Sequence, residues 1–91
     1  MRQRQLFKAV SFICDTDKEY LIKYYLLLKP SSEVHGKTLF GVAVENSNTS
    51  EYEEIPGMSY QKDEISEFLE KLCTGNVTPV SLFDIADDYI N

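Results

Sequence analysis

The stretch that decides the fold runs from Ser59 to Asn91: SYQKDEISEFLEKLCTGNVTPVSLFDIADDYIN. Ile65, Phe68, Leu69, Leu72 and Cys73 recur at helical spacing and make one apolar stripe. Glu67, Glu70 and Lys71 face away from it. Ser59 is the expected N-cap, with Asp63 and Glu64 near the first turn, where negative charge suits the helix dipole. Gly75-Asn76 supplies a left-handed stop. Thr78-Pro79 then restarts the chain: Thr caps, and Pro fits a first helical position that needs no N–H. Leu82, Ile85, Ala86 and Tyr89 form a second stripe, with Asp84, Asp87 and Asp88 on its polar side. The spacing predicts two amphipathic helices, over residues 59–74 and 79–90.

Two such stripes need an apolar surface to cover, and residues 5–56 read as that surface. Glu19 to Lys29 alternates with period two: Tyr20, Ile22, Tyr24, Leu26 and Leu28 on one face, Leu21, Lys23, Tyr25, Leu27 and Lys29 on the other. Leu6 to Cys14 is apolar on both faces, which suits a strand buried on both sides or near a dimer interface. Asp15-Thr16-Asp17-Lys18 is a turn between these strands. Thr38 to Glu45 alternates Phe40, Val42 and Val44 with Leu39, Gly41 and Ala43, and the small residues leave room for a close neighbour. Asn46 to Thr49 turns the chain. Ser50 to Ile55 is a short acidic return strand whose charges blunt a sheet edge, and Pro56-Gly57 ends it. The fold class expected is α+β: one domain over residues 1–91, an antiparallel meander of about four strands over residues 5–56 with both helices on one face.

A chain of 91 residues is one domain by length, and 43% apolar residues is ordinary for a globular protein. The net charge of −6 is uneven. Residues 1–45 hold seven Lys/Arg and five Asp/Glu, a balance of +2; residues 46–91 hold two Lys and ten Asp/Glu, a balance of −8. An acidic surface repels a phosphate backbone, so no nucleic-acid partner is expected. No stretch approaches the roughly 18 apolar residues of a membrane span. The N-terminal apolar run is broken by Lys8 and Ser11 and carries no small-residue cleavage site. A soluble, cytoplasmic protein is expected. Cys14 and Cys73 do not form a CxxC pair, and each reads as a reduced, buried small hydrophobe.

Catalytic and metal constellations are weak. His35 is the sole histidine and lies in the loop Ser31-Ser32-Glu33-Val34-His35-Gly36 without a nucleophile elbow. One histidine and two distant cysteines do not match a zinc site. Asp84, Asp87 and Asp88 lack the ligand spacing and central glycine of a calcium loop. The scattered glycines form no phosphate-cradling loop. Asn48-Thr49-Ser50 and Asn76-Val77-Thr78 match the glycosylation pattern but have no secretory signal to make it operative. No cofactor, metal or enzymatic activity is expected.

The second strand carries the strongest functional signal. If the helices cover the face with Tyr20 and Tyr24, then Leu21, Tyr25 and Leu27 form an exposed apolar patch on the other, and such patches mark protein interfaces. The leading expectation is a protein-interaction or regulatory module, a homodimer through the uncovered sheet face or an edge strand. One alternative is a small-ligand or enzyme cleft near His35 in the 30–37 loop. Another is an acidic nucleic-acid mimic using Glu51, Glu53, Glu54, Asp84, Asp87 and Asp88, which requires them on one continuous surface.

Three segments together carry a likeness: Gly41-Val42-Ala43-Val44-Glu45, Glu54-Ile55-Pro56, and Val77 to Ile90 with its Thr-Pro start and aspartate-rich end. From about Tyr20 onward the chain resembles a family of short uncharacterised proteins from Gram-positive anaerobic bacteria. The resemblance implies a single small domain and brings no chemistry with it.

Overall fold

The second strand is the axis of the molecule. The computed structural model describes residues 3–13 and 17–90, with Phe12 and residues 88–90 described by backbone alone. Strand β1 spans Gln3–Ile13, β2 Glu19–Pro30, β3 Thr38–Asn46 and β4 Glu51–Ser59. Helix α1 spans Lys62–Thr74; a 3-10 turn at Pro79–Ser81 leads into α2, Leu82–Ile90. The strands lie in the order β1-β2-β3-β4, each antiparallel to its neighbour. This is the expected α+β meander with two C-terminal helices.

Alternation on β2 and β3 makes the core. Ile22, Tyr24 and Leu26 join Val42 and Val44 beneath Ile65, Phe68, Leu69, Leu72 and Cys73 of α1 and Leu82 and Ala86 of α2. Phe7, Val10, Phe40 and Ile55 close its rim. The Tyr24 hydroxyl is buried at the centre and donates to the Val77 carbonyl at 2.8 Å, so the strand also holds the inter-helix connection. That connection is a Schellman turn: the Val77 N–H reaches the Leu72 carbonyl, and the Asn76 N–H reaches that of Cys73. Asn76, not Gly75, takes the left-handed conformation, at φ 51°.

Several boundaries differ from expectation, each for a local reason. Strand β4 does not stop at Pro56-Gly57 but runs on to Ser59. It is an edge strand, where a missing N–H costs little. The pairing slips between Phe40–Ser59 and Val42–Ile55, and Gly57 sits in that bulge at φ 69°. Gly41 lies opposite, and a Cβ there would meet the Ile55 carbonyl and stand 2.8 Å from Pro56 Cα. The close neighbour that the small residues of β3 accommodate is thus, at Gly41, the backbone of β4.

Helix α1 begins at Lys62, with Gln61 as the capping residue. Ser59 lies two residues earlier; its Oγ accepts the Gln61 N–H and donates to the Glu64 carboxylate, both at 3.0 Å. Thr78 makes no side-chain cap, and Pro79 opens a 3-10 turn before α2.

Strand β1 is not buried on both sides. It pairs only with β2, and Leu6 and Ile13 are 58% and 69% exposed. A bulge between Leu6 and Lys8 turns Phe7 toward the core and brings Lys8 within 3.5 Å of Glu70 on α1. Cys14, most of the first turn, and the side chains of Asp88 and Tyr89 lie outside the described residues.

Gly41→Ala is expected to cost about 2 kcal/mol, because a backbone rather than a pliable side chain must give way. Urea denaturation followed by circular dichroism measures it, and Ser32→Ala in the exposed loop is the neutral control.

Candidate interaction face

The helices leave the second face of the sheet uncovered, and the residues on it follow from register. Arg4 on β1 stands beside Leu27 on β2, Leu6 beside Tyr25, and Ala9 beside Lys23. On β3, Gly41, Ala43 and Glu45 stand beside Leu27, Tyr25 and Lys23. On β4, Glu54 and Tyr52 follow beside Ala43 and Glu45.

The anticipated patch of Leu21, Tyr25 and Leu27 is not laid open. Tyr25 is 8% exposed, Leu27 is 2% exposed, and Ala43 is fully buried between them. Only Leu21 stays half-buried. No helix provides this cover; residues of the sheet itself do. Tyr52 packs against the cluster from β4. Arg4 reaches in from β1, its Cζ 4.2 Å from the centre of the Tyr25 ring and 5.7 Å from that of Tyr52. A guanidinium lies well against ring faces, and its aliphatic stem covers apolar surface while the charge stays wet. Each phenol is tied down as well: Tyr25 donates to Glu45 at 3.3 Å, and Tyr52 donates to Glu54 at 2.8 Å.

This arrangement sets the charges of the clasp. Its hydrogen bond with Tyr52 is the main cause that holds the Arg4 guanidinium above its ordinary value. Burial, first among the causes, pushes Tyr25 and Tyr52 above the usual phenol value, and the nearby carboxylates add to the shift. Burial likewise raises Tyr24 and the Cys73 thiol, so Cys73 is a poor nucleophile and behaves as a core hydrophobe.

The apolar side chains most open on this face are Leu6 and Ile13 of β1; Leu21 on β2 and Leu39 on β3 are half-buried. Arg4 and Tyr52 are the residues that sequence reasoning missed. Arg4 is remote in sequence from both rings, and only register brings it over them.

The other candidate sites are less built. An open cleft of about 450 Å³ lies between β2 and the 30–37 loop, with His35, Lys29, Lys37 and Ser31 in its lining. Neither Glu33 nor any tyrosine lines it. Ser31 Oγ accepts the N–H groups of Glu33 and Val34 and stands 3.0 Å from the Tyr60 hydroxyl, so it is occupied in shaping the loop. The carboxylates of the mimic reading divide between faces. Glu54 shares the uncovered face with Tyr52, whereas Glu51 and Glu53 alternate to the other side. Among the described residues, no group of three His, Cys, Asp or Glu could hold a metal ion, and no helix is long and apolar enough to cross a membrane. Asn48 of the first glycosylation pattern is committed internally: its amide accepts the Leu21 N–H and donates to the Glu19 carbonyl, both at 2.9 Å.

The chain belongs to DUF6514, a family of unknown function, whose model matches residues 3–91. No curated protein and no solved structure matches it.

Arg4→Ala is expected to lower stability by about 0.5–1 kcal/mol and to open both rings to solvent. A falling urea midpoint and faster quenching of tyrosine fluorescence by acrylamide would register this, with Arg4→Lys intermediate. Alkali provides a separate check. Tyr24, Tyr25 and Tyr52 hold their protons more tightly when folded, so their contribution is complete below the unfolded phenol value of about 10 and is lost as the pH climbs through the raised folded values. The urea midpoint is expected to fall above about pH 10, and to fall less steeply in Tyr24→Phe.

Proposed function

We propose that this member of the family is a non-enzymatic interaction module of the bacterial cytoplasm, and that it associates with a second copy of itself through the uncovered face of its sheet. The observation that carries this reading is the exposure of Leu6 and Ile13 on the outer strand of a face that no helix covers. A chain this small hides only about two thirds of the surface its unfolded form would show, so a partner that covers such residues adds stability. Leu21 extends the apolar surface from β1 onto β2. Tyr25 and Leu27, beneath the Arg4 clasp, support the face from within rather than meet a partner directly. The free, buried Cys73 agrees with a reducing compartment.

Sedimentation equilibrium up to about 1 mM chain tests the proposal, since association weaker than this carries little free energy. The parent is expected to self-associate. Leu6→Asp/Ile13→Asp is expected to be a folded monomer, because both positions already tolerate water. A parent that stays monomeric, or a double variant that associates as tightly as the parent, overturns the reading.

A further inference from the structure

On the uncovered face, strand β1 carries a large apolar residue at each end of a gap. Leu6 and Ile13 are 58% and 69% exposed. Leu6 stands beside Tyr25 and Ile13 beside Glu19, so the two are about 20 Å apart at roughly 3.3 Å per strand residue. Ala9 and Ser11 occupy the interval, and Leu21 backs it from β2. The result is a hollow with two apolar walls and a floor of small side chains.

The two ends of this hollow differ in charge. The Arg4 guanidinium lies over the Tyr25 ring, next to Leu6, and Lys23 stands beside Ala9. Glu19 lies at the Ile13 end, where it accepts the Ser11 hydroxyl at 2.7 Å. Glu45 and Glu54 are on β3 and β4, further from β1.

The outer side of α2 has the matching shape. Pro79, Leu82 and Ala86 are buried against the sheet. Val80, Phe83, Asp84 and Asp87 point away from it, all exposed, at i, i+3, i+4 and i+7. Val80 is 72% exposed and Phe83 50%, more than Val34 or Tyr60. The two carboxylates follow, and no Lys or Arg comes after Lys71. Val80 and Phe83, about 6 Å apart, fit the gap of about 20 Å with all four apolar side chains in a row about 6–7 Å apart. Laid antiparallel to β1, α2 sets Val80 over Ser11 beside Ile13, and Phe83 over Ala9 beside Leu6. Asp84 and Asp87 then lie toward Lys23 and Arg4 and away from Glu19. The opposite direction would bring them to Glu19.

A symmetric meeting of two sheet faces does not cover the same residues. Leu6, Tyr25, Ala43 and Glu54 share one height across the strands, so a two-fold through the middle of the face sets Leu6 against Glu54. Ile13 lies beyond Glu51, where β4 begins, and has nothing opposite it.

We infer that a second copy meets this face with its α2, so that Val80 and Phe83 of one copy seat between Leu6 and Ile13 of the next. The inference rests on the sheet-face association proposed above and names the surface that answers it. Such a head-to-tail contact leaves one surface of each kind free at every stage, so copies add beyond two. Two turns of helix bury well under the roughly 800 Å² per partner of a standard interface, so the association is weak and is read near 1 mM chain.

Complementation tests it in the full chain. Val80→Ser/Phe83→Ser spoils α2 and leaves β1 intact; Leu6→Asp/Ile13→Asp does the reverse. All four positions are exposed, and circular dichroism checks that both variants fold. Each alone is expected to associate at least about tenfold more weakly than the parent. An equimolar mixture is expected to sediment as a 1:1 pair and nothing larger, because one intact surface of each kind remains. Lys23→Glu is expected to weaken the parent's association by about tenfold. A parent that is monomeric at all concentrations removes both this contact and the association beneath it. A parent that stops at two copies, a Val80→Ser/Phe83→Ser variant that associates like the parent, or a mixture that stays monomeric overturns the α2 contact alone. A Lys23→Glu variant that associates as tightly as the parent overturns the direction in which α2 lies.

Discussion

A four-stranded sheet has two faces, and this chain has helices enough for one. That constraint organises the rest of the molecule. Tyr24 shows how the helix side is solved: its ring is buried among α1 and α2, and its hydroxyl, which could not be left unpaired there, bonds the carbonyl of Val77. One side chain thereby joins the central strand to the turn between the helices. The described residues of both helix stripes pack on this face.

The opposite face cannot be closed by a third layer, so the sheet closes part of it alone. Arg4 and Tyr52 come in from the two outer strands and meet over Tyr25, Leu27 and Ala43. An arginine serves here where a leucine would not, because its stem covers carbon while its head stays in water. The same device limits the surface that can work. It withdraws Tyr25 and Leu27 from contact and leaves the apolar exposure on β1, at Leu6 and Ile13.

The outer strands show how local irregularity protects such a sheet. The bulge at Phe7 turns one extra residue into the core and interrupts the free edge of β1. On β4, Pro56 and Gly57 do the same, and Gly41 on β3 gives up its side chain so that this bulge can press inward. Features that read as strand breakers in a linear sequence are tolerated here because an edge has no second ladder to satisfy.

The helical stripes, the alternation of β2 and β3 and a stop at Gly75-Asn76 could be read from the chain, because each is a matter of neighbours within a few residues. They determined the α+β class, the order of the elements and which face of β2 is core. The continuation of β4 past Pro56, the exposure of β1 and the cover over Tyr25 and Leu27 could not be read in that way. Each depends on which strand lies beside which, and at what register. Arg4 precedes Tyr25 by a hairpin and Tyr52 by most of the sheet, so nothing local marks it as their cover. The sequence by itself determined that one sheet face would lack a helix. Only the tertiary structure decided what that face presents, because side chains from opposite edges of a sheet can meet only after every strand between them is in place.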